Sequence, residues 1–215
     1  FVTSHPWDFT EEMVDVIASR DNIMPYIHLP LQSGSSRILK LMGRRYTKEE
    51  YLTLFNKLKK ALPYSSITTD IIVGFPNETE EDFNETLDVV NTCKYDSAFT
   101  FIFSPREGTP AAKMQDNVSL EEKEVRLQRL NELINKYSKE AISKLKKLSI
   151  KTMMFTGDEK EVALEIAEKI KIDEVKYELL PDDKYELLKE EIIKNSGKTA
   201  FSGDGINDAP SIRLA

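Results

Sequence analysis

The chain has 215 residues, 40% of them hydrophobic and 31% charged, with a formal net charge of −7. This is enough for one large or two small globular domains. The acidic balance argues against a general nucleic-acid binder, leaving room for a local basic patch. No run approaches the ~18 apolar residues of a membrane span, and no signal-peptide pattern is present. The single cysteine, Cys93, excludes an intrachain disulfide and fits a reducing, cytoplasmic setting.

In chain order, "FVTS" reads as a short strand and Thr10 to about Ser19 as an acidic-started helix. "YIHLPL" is an apolar run ending in the turn "QSGSS". "RRYTKEEYLTLFNKLKKAL" carries a capping box, Thr47 with Glu50, and helical apolar spacing at Tyr51, Leu54, Phe55 and Leu58. "SITTDIIVGF" predicts a buried strand, "NETEEDFNETLDVVNTCK" a helix and "AFTFIFSP" a second buried strand. Ser119 to about Leu148 predicts one long charged helix capped by Ser119 and Glu122. Strand and helix then alternate again through "KTMMFTGD", "KEVALEIAEKI", "EVKYELLP", "DDKYELLKEEIIKN" and "KTAFSGDG". Alternation with short connections implies an α/β fold with parallel strands. Both ends read as the interior of an element, so a fragment is expected.

Three turns follow strands: "HLPLQSGSS", "GFPNETEEDF" and "SPREGTPAA". In parallel α/β folds such loops carry the chemistry. They offer His28, Gln32, Ser33, Ser35, Asp70, Glu78, Arg106 and Thr109. Arg106 suits a carboxylate, and Asp70 or Glu78 an ammonium group or ribose hydroxyls. Ordinary turn and cap chemistry explains the same residues equally well.

The segments "TSHP", "HLPLQSGSSRILKLMGRRYT", "TTDIIVGFPNETEEDF" and "FIFSPREGTPAA" closely resemble the radical S-adenosylmethionine methylthiotransferases that modify tRNA. The resemblance covers residues 1 to about 140. It implies part of a parallel β/α barrel, with S-adenosylmethionine across the strand C-termini and tRNA as partner. It makes Gln32, Ser33, Asp70 and Arg106 the candidates for cofactor or substrate contact. It also implies a [4Fe–4S] cluster on three cysteines spaced C-x3-C-x2-C. Cys93 alone cannot build that site, and a small buried residue is the reading for it.

"FTGD", "LLPDDK" and "GDGINDAP" follow in that order. Phosphoryl transfer needs a hydroxyl and amides for phosphoryl oxygens, a cation for developing charge and carboxylates for Mg²⁺. Thr156, Lys184 and the pair Asp204/Asp208 match those needs. Residues from about 141 to 215 resemble the phosphorylation domain of P-type ATPases, a haloacid-dehalogenase-like (HAD-like) fold, closest to the heavy-metal branch. By that resemblance Thr156 and Gly157 contact the phosphoryl group, Lys184 neutralises it, and Asp204 and Asp208 organise Mg²⁺ with Asn207 nearby. Ser149 and Lys171 stand where glycine is usual, and Glu159 where asparagine is common. The family's phosphorylated aspartate, in a D-K-T-G-T segment, is absent from the 215 residues.

The expectation is therefore a chimera: a partial radical SAM barrel, 1–140, joined through the long helix to a partial Rossmann-like HAD domain, 141–215. Both patterns read through "KEA", Lys139 to Ala141. The leading function is a methylthiotransferase fragment, inactive as it stands. The alternatives are a cation-transporting P-type ATPase fragment with residual Mg²⁺ and phosphate binding, and a non-functional chimera or misassembled sequence.

Overall fold

The computed structural model of the chain describes residues 5–20, 22–196, 198–201 and 211. Two compact units divide between Tyr137 and Ser138, within a single helix.

The first unit is built on a parallel sheet of three neighbouring strands: β1 (Tyr26–His28), β2 (Ser66–Val73) and β3 (Ser97–Ile102). Parallel neighbours require crossovers. Between β1 and β2 run α2 (Ser36–Leu41) and α3 (Lys48–Ala61); between β2 and β3 runs α4 (Glu80–Cys93). α1 (Glu11–Ala18) precedes the sheet, its Thr10 cap accepting from the Met13 amide. The expected Thr47–Glu50 capping box opens α3, and Thr79 with Asp82 forms another on α4. "FVTS" lies outside the described residues.

Alternation in β2 sorts its side chains between two faces. Ile67, Thr69, Ile71 and Val73 are fully buried. The apolar ones join Ile27, Tyr51, Phe55, Leu58, Phe83 and Val90 in the core beneath the helices. The opposite face carries Thr68 and Asp70, flanked in register by His28 on β1 and Phe99 on β3. β3 departs from expectation. It is not buried: Phe99 and Phe101 are 42% and 51% exposed. An apolar run establishes a strand but not that both faces are covered, and here the face shared with Asp70 is open.

α5 (Leu120–Lys147) is the expected long helix, 28 residues, opened by reciprocal bonds between Ser119 and Glu122. Its N-terminal part belongs to the first core, through buried Leu130 and the half-buried Leu127, Leu133, Ile134 and Tyr137.

The second unit pairs β4 (Met153–Phe155) with β5 (Glu174–Lys176) in parallel, with α6 (Lys160–Ile170) between them and α7 (Pro181–Lys194) after. Its buried apolar residues are few among those described, namely Ala163, Ala167 and Leu188. Residues 198–201, expected to enter a further strand, carry no regular structure. Ser149 and Lys171, flagged as glycine positions, adopt φ of 59° and 62°. Lys171 is the left-handed C-cap of α6, and Glu159 at its N-cap makes no side-chain cap bond.

Candidate functional site

The strongest constellation lies on the open face of the sheet, along β1 and the middle of β2, and continues into the segment past β1. Past β1 the chain stays beside β2: the Leu29 amide donates to Thr68 O (2.8 Å), the Gln32 amide to Asp70 O (2.8 Å), and the Ile72 amide to Gln32 O (2.9 Å). Gln32 takes a left-handed φ of 67°. That conformation costs a non-glycine residue ~1–2 kcal/mol, and such strain concentrates where ligands are gripped.

The next residues turn away from the open face. Ser33 is fully buried, its hydroxyl 3.5 Å from Thr86 Oγ1 on α4, and the Gly34 amide donates to the same oxygen (2.9 Å). A Cβ on Gly34 would stand 2.4 Å from Thr86 Cα, so only glycine permits this approach. Ser35 donates to Asp82 Oδ1 (2.6 Å), and Arg37 pairs with the same carboxylate. The turn is thereby locked onto α4. Of the expected site residues, Gln32 and Asp70 meet through the backbone beside the middle of β2, whereas the Ser33 hydroxyl faces α4.

Asp70 belongs to a polar row on the open face. His28 Nε2 is 3.3 Å from Asp70 Oδ2, and His28 Nδ1 is 2.9 Å from Thr68 Oγ1. Thr68 in turn reaches toward the Tyr26 hydroxyl (3.5 Å). The His28 ring meets Phe99 edge-on at 6.0 Å. Carboxylate, imidazole, hydroxyls and two exposed aromatic faces thus share one side of the sheet. That donor set suits a nucleoside: aromatic rings stack on a base, and the carboxylate accepts from hydroxyl or ammonium groups. Arg106 lies exposed in the loop after β3, where its carbonyl accepts from Thr109 Oγ1 (2.7 Å).

Glu78, weighed as a ligand for ammonium or ribose, is committed elsewhere. Its Oε2 accepts from the Gly74 amide (2.7 Å) and from Arg126 Nη1 on α5 (3.0 Å), and the pair is almost wholly buried. Burial pushes its carboxyl up, against the lowering effect of Gly74 and Arg126. α5 closes over this loop so tightly that a Cβ on Gly74 (φ 70°) would meet Lys123 Cγ at 2.2 Å. Arg126 gave no signal in the sequence beyond its place in a charged helix.

A [4Fe–4S] cluster does not fit these residues. Cys93 is the chain's one cysteine, at the C-terminal end of α4, buried, with its thiol pushed by burial up to about 11. A cluster needs several thiolates. Among the described residues no group of three His, Cys, Asp or Glu side chains could hold a metal ion.

In the second unit, Thr156 follows β4 and Lys184 lies in the first turn of α7 after β5. Both therefore sit past the C-terminal ends of the parallel pair. Thr156 Oγ1 donates to Asp158 Oδ2 (2.7 Å) and accepts from the Asp158 amide (3.2 Å), a local turn. Asp204, Asn207 and Asp208 lie outside the described residues. No helix among the described residues is long and apolar enough to cross a membrane.

These features define a parallel α/β protein with one polar constellation on an open sheet face and another past the ends of a two-stranded pair. The profile of the radical SAM superfamily matches residues 1–90, and that of the haloacid dehalogenase-like hydrolases matches residues 46–215. The second match spans more than half of the chain, which belongs to the haloacid dehalogenase-like hydrolase family. Much of the chain is also similar to tRNA-modifying synthases. The tRNA-2-methylthio-N(6)-dimethylallyladenosine synthase of Geobacillus thermodenitrificans is 61% identical over 134 residues, 62% of this chain and 26% of that protein. The corresponding synthase of Staphylococcus epidermidis is 53% identical over 161 residues, 75% of this chain and 31% of that protein. The chain thus spans less than a third of the length of these curated relatives. Among solved structures, coproporphyrinogen III oxidase (HemN) from Escherichia coli, a radical SAM enzyme, superposes with a TM-score of 0.52 at 21% identity. That likeness covers 62% of this chain and 31% of that one, and bears on the fold alone.

Proposed function

We propose that residues 1–140 are the C-terminal part of a radical SAM barrel from a tRNA methylthiotransferase, and that 141–215 derive from a P-type ATPase phosphorylation domain. The first part retains a ligand face but not, within these 215 residues, the means to generate a radical. The observation that carries this reading is sustained identity to the synthases, up to 61% over 134 residues. The row His28–Asp70 beside Phe99 is consistent with it.

In this reading Asp70 accepts from ribose hydroxyls or the methionine ammonium of S-adenosylmethionine, and His28 holds the carboxylate in place. Gln32 presents its amide at the strand end, and Arg106 closes on the methionine carboxylate from the third loop. The one cysteine does not fit the cluster. Equilibrium dialysis with labelled S-adenosylmethionine tests the site. Saturable binding by the wild-type chain, weakened about tenfold in Asp70→Asn, is expected. Equal binding by both would remove the assignment.

A second reading rests on the haloacid dehalogenase-like match and on Thr156 and Lys184 sharing one end of the β4–β5 pair. It takes the chain as a P-type ATPase remnant with residual Mg²⁺-dependent phosphate binding at Thr156, Lys184, Asp204 and Asp208. Titration with a phosphate analogue and Mg²⁺ separates it: binding lost in Asp204→Asn and Asp208→Asn supports it, and identical titrations remove it.

A further inference from the structure

One cluster in the first unit is absorbed by neither reading. His5 stacks on Trp7 with ring centroids 3.9 Å apart and planes inclined by 27°. The Arg45 guanidinium lies over the Trp7 ring at 5.8 Å, and Arg44 Nη1 is 3.5 Å from His5 Nε2. Tyr46 lies 6.2 Å from Trp7, and beneath them opens a cleft of about 260 Å³. Its acidic lining residue, Glu50, is engaged by the Thr47 amide (2.8 Å). His5 and Arg45 are exposed and Trp7 is half-buried.

We propose that His5, Trp7, Arg44 and Arg45 form a contact site for single-stranded RNA, with a base stacked on the aromatic pair and its phosphates held by the two arginines. The proposal rests, for the choice of RNA, on reading the first unit as derived from a tRNA-modifying enzyme. Three features carry the site itself. Base stacking needs an accessible aromatic face next to a cation that tracks the backbone; exposed His5, stacked on Trp7, supplies the face and Arg45 the cation. In a chain whose net charge is −7, the guanidiniums of Arg44 and Arg45 both lie against the His5–Trp7 stack. The cluster is also tied to the candidate ligand loop, because the Tyr46 hydroxyl donates to Pro30 O (3.2 Å) and Leu31 O (2.9 Å), next to Gln32. RNA held there lies beside the loop that borders the open sheet face.

Trp7 is the chain's one tryptophan, so its emission reports on the site directly. The full chain is titrated at low salt with an unstructured oligoribonucleotide of about eight nucleotides. Saturable quenching is expected. Arg44→Ala/Arg45→Ala, followed by anisotropy of labelled RNA, is expected to weaken binding about tenfold and reduce the slope of log K against log salt by about 1.4. Trp7→Leu, followed by the same anisotropy, is expected to lose about tenfold. Absence of quenching, quenching by polyphosphate equal to that by RNA, or wild-type affinity in the double arginine variant would overturn the proposal. S-adenosylmethionine dialysis on the same preparation separates the two claims. Cofactor binding without RNA binding sinks the RNA site alone, and RNA binding without cofactor binding sinks the cofactor site alone.

Discussion

His28 Nε2 stands 3.3 Å from Asp70 Oδ2, a diagonal contact between β1 and β2 on the open face of the sheet. Asp70 remains 28% exposed there, against 12% for His28. A partly solvated pair is worth under ~1 kcal/mol to the fold. A double-mutant cycle on His28→Ala and Asp70→Asn, read by urea unfolding, is therefore expected to give a coupling of at most ~1 kcal/mol. A larger coupling would make the pair a structural clamp rather than part of a ligand face.

The Glu78–Arg126 pair is the opposite case. Both side chains are nearly inaccessible, and Arg126 Nη1 reaches the Glu78 carbonyl as well as its carboxylate. Removing one partner strands a buried charge. Arg126→Met is expected to lower stability by about 3–5 kcal/mol, and Glu78→Gln/Arg126→Met by distinctly less. Urea denaturation of the three proteins checks the order.

Asp82 supplies a pH dependence. Burial acts against its charge, but hydrogen bonds from Arg37, Ser35 and Thr79 outweigh it and hold the carboxyl well below the usual carboxylate range. A carboxyl depressed in the folded state contributes stability that is present above its unfolded value of ~3.9 and is lost as pH falls through the folded value. Asp82→Asn is expected to cost about 2 kcal/mol at neutral pH. The difference from wild type should shrink steadily in unfolding measurements below about pH 4.

In the second unit Ser149 and Lys171 hold left-handed positions without being glycine, and the N-cap of α6 makes no side-chain bond. Relief of ~1–2 kcal/mol of strain, less ~0.4–1 kcal/mol of added unfolded-state entropy, leaves a net gain. Ser149→Gly and Lys171→Gly are each expected to stabilise by about 0.5–1 kcal/mol. Glu159→Asn, giving α6 a capping side chain, should add about 1 kcal/mol. Thermal unfolding of the single variants measures these gains.

Sequence legibility followed the range of the interactions. The capping boxes at Thr47–Glu50 and Ser119–Glu122 are three-residue relationships and stand in the structure as read. The misfit of Ser149 and Lys171 to their turns was equally local, and both take positive φ. The exposure of Phe99 and Phe101 was not legible, because an apolar run does not say which sheet face is covered. Nor were the partners of Asp70 and Glu78, since His28 and Arg126 reach them only through strand register and the packing of α5. From sequence, Ser33 and Ser35 suit ligand contact or turn formation equally. Their bonds to Thr86 and Asp82 depend on Gly34 closing against α4, a contact more than fifty residues distant in sequence.

In the function proposed above, the first unit keeps an adenosylmethionine-binding face without a cluster site. Anaerobic reconstitution of the full chain with iron and sulfide, followed by S-adenosylmethionine dialysis with and without that treatment, tests it most directly. No stoichiometric [4Fe–4S] absorbance and the same cofactor binding in both preparations are expected. A stoichiometric cluster on the monomer, or cofactor binding that appears only after reconstitution, would contradict it.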